Sequence, residues 1–253
     1  MHPVRAPPAR SMLARMDMLG GAQIAAADLS DWRKLAQGLH ARFLIDGFTD
    51  GARFVAAIGE AGDAAGHHPQ VALRPDCVDL KLVSGDAIYR DDAGTEHVVE
   101  WVTQKDLDLA QEISGIAAAQ GLRADPAAVT QVELGLDTSH PSTIAAVWAA
   151  LLTGDPASQG RGTPSDEVRD ATGRVPNLWF GDPDPDAGGG GAAQRFHLEV
   201  YVAPEVAADR VAAAVAAGGS IVDDSDAPGL TVIADQDGNT GVICTDQSAT
   251  TGG

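Results

Sequence analysis

The sequence has few cysteines, and their positions exclude several kinds of protein. Only two occur among 253 residues, Cys77 and Cys244. They lie far apart in the chain and match no zinc-binding or redox spacing. A disulfide framework is therefore not expected, and reduced thiols in a cytoplasmic protein are the simplest interpretation.

Long hydrophobic runs and clusters of basic residues are also missing. No stretch approaches the roughly 20 consecutive apolar residues that cross a bilayer, so we expect no membrane-spanning segment. Acidic residues outnumber basic residues 36 to 17, which gives a formal net charge of −19. No group of Lys and Arg could neutralise a run of phosphates, so we expect neither nucleic acid nor an anionic membrane surface as a partner.

The residues that are present indicate a folded protein of two domains. Apolar residues make up 44% of the chain and charged residues 21%, which is enough to bury real cores. The length fits two domains of ordinary size. The first residues are basic and rich in Pro and Ala but lack an apolar segment of signal-peptide length. We predict a disordered leader at 1–23, a first domain at 24–123, a linker at 124–130, a second domain at 131–247 and a tail at 248–253.

Hydrophobic periodicity in the first half predicts alternating helices and strands. A helix over 28–39 is expected to pack through Trp32, and a helix after Phe48 is expected to end near Gly66, a residue suited to a helix stop. Thr103 and Asp106 resemble a capping box that starts a third helix. Strands are predicted at 39–45, 77–84 and 96–102, with a hairpin or loop at 85–94.

The second half follows a different rhythm, in which two β-α-β-β-like modules occur in tandem over 131–246. The first module is a strand at 132–138, a helix with Pro141 near its first turn, and a strand at 174–180. An acidic, glycine-rich stretch at 182–193 predicts a flexible loop. The helix is expected to turn Ile144, Val147, Trp148, Leu151 and Leu152 inward. The second module is predicted as a strand at 195–202, a helix at 204–219 and three strands near SIVDD, LTVIAD and GVICT.

Two adjacent histidines stand at the end of the second predicted helix, in GEAGDAAGHHPQVAL at 59–73. Imidazoles titrate near neutrality, and Asp63, about one turn earlier, could orient either His67 or His68. Such a group could move protons to and from a bound heterocycle. The alternative is that one histidine caps the last helical carbonyls and the other is only exposed.

The stretch from Trp32 to about Leu122 resembles the pterin-4a-carbinolamine dehydratase family. The matching pieces are Trp32, the strand that ends in Phe43, Phe48 and Phe54, the Asp63-x-x-x-His67-His68-Pro69 signature, VDLKLV, and VTQKDLDLA with Asp106. The resemblance implies an α+β fold, a four-stranded antiparallel sheet with helices on one face. It implies dehydration of a 4a-hydroxytetrahydropterin without a metal or other cofactor. His67, His68 and a third histidine would be catalytic with Asp63, and Pro69, Phe43 and Asp106 are candidate substrate-binding residues.

The chain departs from this family pattern in two places. The aromatic residue expected a few positions after Pro69 is missing, because Pro75 stands in that stretch. Direct alignment of the VDLKLVS strand places the third histidine at Gly85, whereas counting back nine positions from Asp106 places it at His97. We prefer His97, which requires about twelve inserted residues in a longer hairpin.

Residues 131–246 resemble a glyoxalase-like domain of the vicinal oxygen chelate class. The resemblance rests on VELGLDT, PNLWF, FHLEVYV and ADQDGN, and it implies paired β-α-β-β-β modules around a cup. Glu133 and His197 would occupy two metal-ligand positions, but the glutamate expected after the DxxGN turn is replaced by Thr240. His197 could equally be a core histidine and Glu133 a partner of an arginine. We therefore favour a metal-free cup that binds a small molecule or pairs subunits.

Three functional hypotheses remain from the sequence. The first is a 4a-hydroxytetrahydrobiopterin dehydratase-like lyase with an accessory binding domain, and its partners would be a pterin substrate and further copies of the chain. The second is a non-catalytic binding or assembly protein that keeps both folds. The third is a metal-dependent glyoxalase-type or dioxygenase-type enzyme that uses the second half.

Overall fold

A computed structural model shows a mixed α+β protein with two separate hydrophobic cores. One core lies in the first half of the chain and the other lies in the second half. Each core forms where the apolar side of a sheet meets helices. The structure describes residues 16–139, 141–153, 155–159, 167–170, 173, 175–182, 196–234 and 240–245.

The first half contains an antiparallel sheet of five strands and a separate hairpin. The elements in chain order are α1 (Gly21–Ala25), β1 (Arg33–Leu35), β2 (Gly38–Leu44), α2 (Phe48–Ala65), β3 (Gln70–Leu73), β4 (Cys77–Leu82), β5 (Ser84–Arg90), β6 (Glu96–Trp101), α3 (Gln104–Ala119) and β7 (Arg123–Ala124). The sheet has the order β1-β2-β4-β3, and the short β7 also pairs with β2. Strands β5 and β6 pair with each other in a two-stranded sheet. The sheet thus has one strand more than the four expected.

Alternation along the strands decides which face of this sheet is buried. Successive side chains of a strand point to opposite faces. In β2, Leu39, Ala41 and Phe43 are almost fully buried, and they pack with Phe54 and Ile58 of α2. Burying a leucine, isoleucine or phenylalanine side chain stabilises the fold by about 1.5–3 kcal/mol. The opposite face carries polar residues, because His40 pairs with Lys81 and Arg42 with Asp79 across β2 and β4.

The helix expected over 28–39 is wrong. Asp28 and Ala36 have positive φ angles, of 50° and 47°, which do not occur within an α-helix. The chain instead makes turns and enters β1 at Arg33. Trp32 is still buried, as expected for an anchor, and its indole Nε1 donates a hydrogen bond to Ser114 Oγ at 3.1 Å. The apolar spacing therefore reflects a turn and a strand that both face the core.

The leader expected at 1–23 is ordered over its described part. The Met18 amide donates to the Ile88 carbonyl, and the Leu19 amide donates to the Val102 carbonyl, both at 2.9 Å. Residues 21–23 already belong to α1. The prediction of disorder is therefore wrong for 16–23, because backbone hydrogen bonds attach this segment to the β5–β6 hairpin. Residues 1–15 lie outside the described part of the chain.

The predicted ends of two helices are confirmed. Helix α2 stops at Gly66, which takes a left-handed conformation with φ of 62°. Helix α3 begins after Thr103, and Thr103 and Asp106 form the capping box. A capping box satisfies amide groups that have no partner inside the helix, which explains why the sequence signal was reliable.

Over its described residues, the second half forms one sheet of seven strands with two helices. Its elements are β8 (Thr130–Asp137), α4 (Pro141–Thr153), β9 (Glu167–Val168), β10 (Leu178–Gly181), β11 (Phe196–Val202), α5 (Pro204–Ala216), β12 (Ser220–Asp223), β13 (Leu230–Ala234) and β14 (Thr240–Cys244). The strand order is β12-β13-β14-β11-β8-β10-β9, with β8 and β11 antiparallel near its middle. Most of the glycine-rich loop predicted at 182–193 lies outside the described residues.

The segment 124–130, expected to be a linker, is attached to the first sheet. Ala124 pairs with Phe43, and the Asp125 amide donates to the Arg42 carbonyl at 2.8 Å. A short 3₁₀ turn at Pro126–Ala128 then leads directly into β8. The two halves are therefore joined by a short and well-fixed connection.

The inward face of α4 differs from the prediction at two positions. Ile144, Trp148 and Leu152 pack against the second core, as expected. Val147 and Leu151 are 58% and 70% exposed, so the prediction is wrong for them. The helix packs against only one face of the sheet, and these two residues lie on the side turned away from it.

Candidate active site

The two histidines are positioned by the end of α2. Because Gly66 is left-handed, the chain reverses there, and the His67 amide donates back to the Gly62 carbonyl at 3.1 Å. A residue with a Cβ would be strained at this φ angle, which explains glycine at this point. His67 and His68 therefore follow the helix at once and lie beside its last turn.

His67 is held by a buried carboxylate. Its Nε2 lies 2.7 Å from Asp106 Oδ1, and the Asp106 side chain is completely buried. The other carboxylate oxygen accepts hydrogen bonds from the Thr103 amide at 2.7 Å and from Ser84 Oγ at 2.8 Å. Since a carboxylate only accepts, Nε2 of His67 carries the proton and donates it to Asp106. Nδ1 is then the nitrogen that can accept a proton from a ligand.

His68 has a carboxylate partner of its own. Its Nε2 lies 2.9 Å from Asp63 Oδ1, and both side chains are exposed. The ring lies against the helix at Gly62, where an added Cβ would come within 2.6 Å of His68 Cδ2. The structure thus shows two neighbouring imidazoles, each beside a different aspartate.

The structure does not bring His97 into this cluster. His97 lies on β6 opposite Tyr89, stacks on its ring, and contacts Asp91 Oδ2 through Nε2 at 3.0 Å. The near end of β6 is Trp101, which pairs with Ser84. Four residues of a strand span about 13 Å, so His97 lies far along the hairpin from the Ser84 contact with Asp106.

Gly85, the other candidate position for a third histidine, follows directly after Ser84. A Cβ built on Gly85 would meet no atom within 4 Å. This position is therefore next in the chain to Ser84 of the His67 network, and it has space for a side chain. The chain has glycine there, so the described cluster contains two imidazoles.

Two of the residues expected to bind substrate are enclosed by the protein. The Phe43 ring is 1% exposed and makes edge-to-face contacts with Trp32 and Phe54, so its place is in the core. Asp106 is completely buried, and its two carboxylate oxygens hold His67 and cap α3. Pro69 is partly exposed beside the histidines. Substrate contact by Phe43, Asp106 and Pro69 stays a prediction, and the burial of Phe43 and Asp106 argues against it for these two residues.

The second half carries polar residues on the sheet face opposite α4. Glu133 lies directly across from Glu199, and His197 across from Gly135, in the β8–β11 pairing. Glu133 is buried, and this burial raises its pKa. The His197 ring lies over Gly135, where a Cβ would come within 2.4 Å, and contacts the Trp179 ring edge-to-face. Within the described residues, no three His, Cys, Asp or Glu side chains are grouped to hold a metal ion.

Several of these functional contacts could not be read from the sequence. The capping box identified Asp106 as a helix-start residue, but its bond to His67 joins positions 39 residues apart. Ser84 gave no signal, because a single serine in a strand has no pattern. Gly62 also gave no sequence signal, because the close approach of the His68 ring to it is visible only in three dimensions.

Comparison with known proteins agrees with the division into two halves. A family model described as pterin 4 alpha carbinolamine dehydratase matches residues 19–116, and one described as a glyoxalase-like domain matches residues 133–244. Among the described residues, no helix combines the length and apolar character needed to cross a membrane.

Curated relatives match the first half. Proteins named as inferred pterin-4-alpha-carbinolamine dehydratases are 31% identical over 91 residues in Thermosynechococcus vestitus and 32% identical over 89 residues in a Roseiflexus species. The alignments cover 83% of each relative and 36% and 35% of this chain. A relative from Haloarcula marismortui is 27% identical over 100 residues, which are 96% of its length and 40% of this chain.

Solved structures include a crystal structure described as a transcriptional coactivator/pterin dehydratase from Brucella melitensis. It aligns with 40% of this chain and 99% of its own, at 20% identity and a TM-score of 0.33. The family assignment rests on the relatives that are 31% and 32% identical and covered over 83% of their length, and not on this structural alignment. Through its first half, the chain belongs to the pterin-4a-carbinolamine dehydratase family, and its second half carries a glyoxalase-like domain.

Proposed function

We propose that the first half removes water from a 4a-hydroxytetrahydropterin by acid-base catalysis at His67 and His68. The observation that carries this proposal is the bond between His67 Nε2 and the buried Asp106, at 2.7 Å. It fixes the ring and leaves Nδ1 as a proton acceptor. A second imidazole next to it in the chain, paired with Asp63, supplies the other partner that a dehydration needs.

The reaction needs two proton movements, and the two histidines suit them differently. In the dehydration, the C4a–O bond breaks, the oxygen takes a proton and leaves as water, and a ring nitrogen loses a proton as its electron pair forms a double bond. We assign His67 as the base, because Asp106 holds its Nε2–H and Nδ1 is the remaining nitrogen that can accept a proton. We assign His68 as the acid, because its exposed ring follows His67 directly in the chain and can reach a leaving oxygen from the solvent side. Asp106 positions His67 and does not itself contact the substrate.

The second half is proposed to bind a small molecule without a metal. Glu133 accepts a hydrogen bond from Asn177 Nδ2 at 3.4 Å, and His197 packs on Trp179 and Gly135. Thr240 stands where an anionic ligand would be needed, and a hydroxyl is a weak substitute for it. Metal analysis of the purified protein tests this proposal. A stoichiometric ion that is lost in His197→Ala would contradict it.

The dehydratase proposal is tested by optical turnover of a 4a-hydroxypterin. We expect His67→Ala and His68→Ala each to lower the rate by about 10²–10⁴-fold, which is the usual contribution of a general acid or base. His97→Ala is the matched control and is expected to retain the wild-type rate. If His67→Ala and His68→Ala both turned over the pterin at the wild-type rate, the assigned mechanism would be wrong.

A second candidate function is binding without catalysis, and the glycine at position 85 favours it. The space at Gly85 holds no side chain, so the cluster at the end of α2 has two imidazoles where the family resemblance implies three. If the wild type binds a pterin but does not turn it over, Gly85→His is expected to create dehydratase activity. Failure of both proteins to bind a pterin would exclude this candidate as well.

We also propose that the chain forms a homo-oligomer in the cytoplasm. The strand β3 is an edge strand of the first sheet in the described structure, and Val71 on it is 39% exposed. An edge strand can pair with the same strand of a second copy. Light scattering coupled to gel filtration measures the oligomeric state, and a monomer would contradict the proposal.

The domain boundaries at 24–123 and 131–247 stay a prediction.

A further inference from the structure

An open cleft lies between the polar face of the first sheet and the start of the second half. Its volume is about 750 Å³, and residues from both halves line it. The first sheet contributes His40, Arg42 and Lys81, and the facing wall is formed by 128–131 and Gly173. The family site at the end of α2 does not include these side chains, so the cleft is a separate feature of the fused chain.

His40 places an unpartnered acceptor at this cleft. The side chain is 7% exposed, and its Nε2 is buried without a hydrogen-bond partner. The ring also bonds the backbone of Leu35, and burial lowers the pKa of His40 to about 3, so the ring is neutral. The bond to the backbone uses the N–H of Nδ1, which leaves Nε2 with a lone pair and no donor. Buried polar atoms almost always have a partner, so this atom is suited to a group that the cleft receives.

The charges around the cleft favour an anion. Arg42 reaches Asp79 through two bonds, at 2.6 Å and 3.0 Å, and Arg74 Nε reaches the same carboxylate at 2.9 Å. Two guanidinium groups thus share one carboxylate, and Lys81, which pairs with Glu100 at 3.6 Å, adds a third cation. Three cations and one carboxylate line the cleft, although the whole chain carries a formal charge of −19. A positive surface in an acidic protein concentrates anions locally.

We propose that this cleft is a binding site for a small organic anion that also carries a hydroxyl or N–H donor. The carboxylate or phosphate of the ligand binds the Arg74 and Arg42 side, where guanidinium groups are matched to such anions in geometry. The donor of the ligand bonds His40 Nε2. Because Thr130 and Gln131 of the second half complete the wall, the site exists only when the two halves are joined. The fusion therefore creates a pocket that neither half has alone.

Calorimetric titration of the full chain with malate, succinate and inorganic phosphate tests the proposal. Malate and succinate differ by one hydroxyl, so they separate the anion contact from the donor contact. We expect saturable binding of malate with one site per chain, and weaker binding of succinate. Phosphate as the tightest of the three would support the same site and identify a phosphate as the anion.

Two variants and a control make the test specific. Arg74→Gln, at an exposed position, is expected to weaken binding by about tenfold, which corresponds to one charged hydrogen bond. Arg53→Gln removes another exposed arginine, on α2 and outside the cleft, and is expected to leave binding unchanged. His40→Phe should make malate and succinate bind equally. Equal effects of Arg74→Gln and Arg53→Gln, or no saturable binding of any of the three probes, would overturn the proposal.

Discussion

Asp106 uses its two carboxylate oxygens for different purposes. One oxygen caps α3 through the Thr103 amide and accepts from Ser84, and the other holds His67. The substitution Asp106→Asn keeps the shape but replaces one acceptor by an NH₂ group, which then faces a donor. Leaving buried donors without acceptors costs about 1–3 kcal/mol each, so we expect a loss of about 2–3 kcal/mol in the free energy of unfolding.

Urea denaturation measures this loss. Asp108→Asn is the control, because Asp108 lies on the same helix but is exposed and bonds only Gln104 among the described contacts. It should change the free energy of unfolding by less than about 0.5 kcal/mol. Equal effects of the two substitutions would show that the buried network is not a source of stability.

His40 is expected to make stability depend on pH. In the folded protein its pKa is lowered to about 3 from a usual 6.5, so the unfolded chain binds more protons between these values. Stability therefore falls as pH drops through 6.5 toward 3, by about 1.5 kcal/mol between pH 6.5 and pH 5. Thermal unfolding at a series of pH values measures this slope.

The slope should be absent in His40→Gln, which cannot take up a proton. His68→Gln alters an exposed imidazole and should keep the wild-type slope. A slope that persists in His40→Gln would mean that another group binds the proton.

At the scale of single residues, the HHP sequence indicated a functional position in advance. The buried partner of His67 could not be predicted, because that contact depends on how α3 packs against the end of α2.

Helix α2 offers a matched pair of glycines that separates helix propensity from site geometry. At Gly59 an added Cβ meets no atom within 4 Å, whereas at Gly62 it would approach His68 Cδ2 to 2.6 Å. Alanine favours a helix over glycine by about 0.5–1 kcal/mol. We expect Gly59→Ala to stabilise the protein by about that amount. Gly62→Ala should instead displace the His68 ring from Asp63 and lower turnover.

Thermal unfolding and turnover, measured on both variants, decide this prediction. Equal stabilisation and unchanged turnover in Gly62→Ala would mean that the His68 ring does not depend on the space at Gly62.

At the scale of elements, sequence patterns predicted α2, α3, β2 and β4 well, because each has a strong hydrophobic period and a clear end. The patterns failed at 28–39, where a turn and a short strand bury residues at the same spacing as a helix.

Glu133 connects the two halves of the molecule. It is buried in the second sheet and accepts a hydrogen bond from Gln37 of the first half, and burial raises its pKa. A raised pKa means that the stability contributed by the protonated acid is present below pH 4.5 and is lost as pH rises through the folded value. We expect Glu133→Gln to raise the melting temperature at pH 8 and to leave it unchanged at pH 4.

Thermal unfolding at the two pH values measures the effect. Glu112→Gln is the control, since Glu112 is exposed on α3. The result would contradict the prediction if Glu133→Gln lowered the melting temperature at pH 8, because the ionised carboxylate would then have an unrecognised favourable partner.

At the scale of the whole molecule, the sequence by itself determined the two domain families and most of the strands. It also determined the helix end at Gly66, after which His67 and His68 follow. These features depend on local periodicity, turn residues and short motifs, which are written in neighbouring positions. The tertiary structure alone decided that His97 lies out along the hairpin, that Asp106 is the partner of His67, and that the two halves enclose a cleft beside His40. Such contacts join residues that are distant in the chain, and packing selects them only when the whole sheet and its helices are assembled.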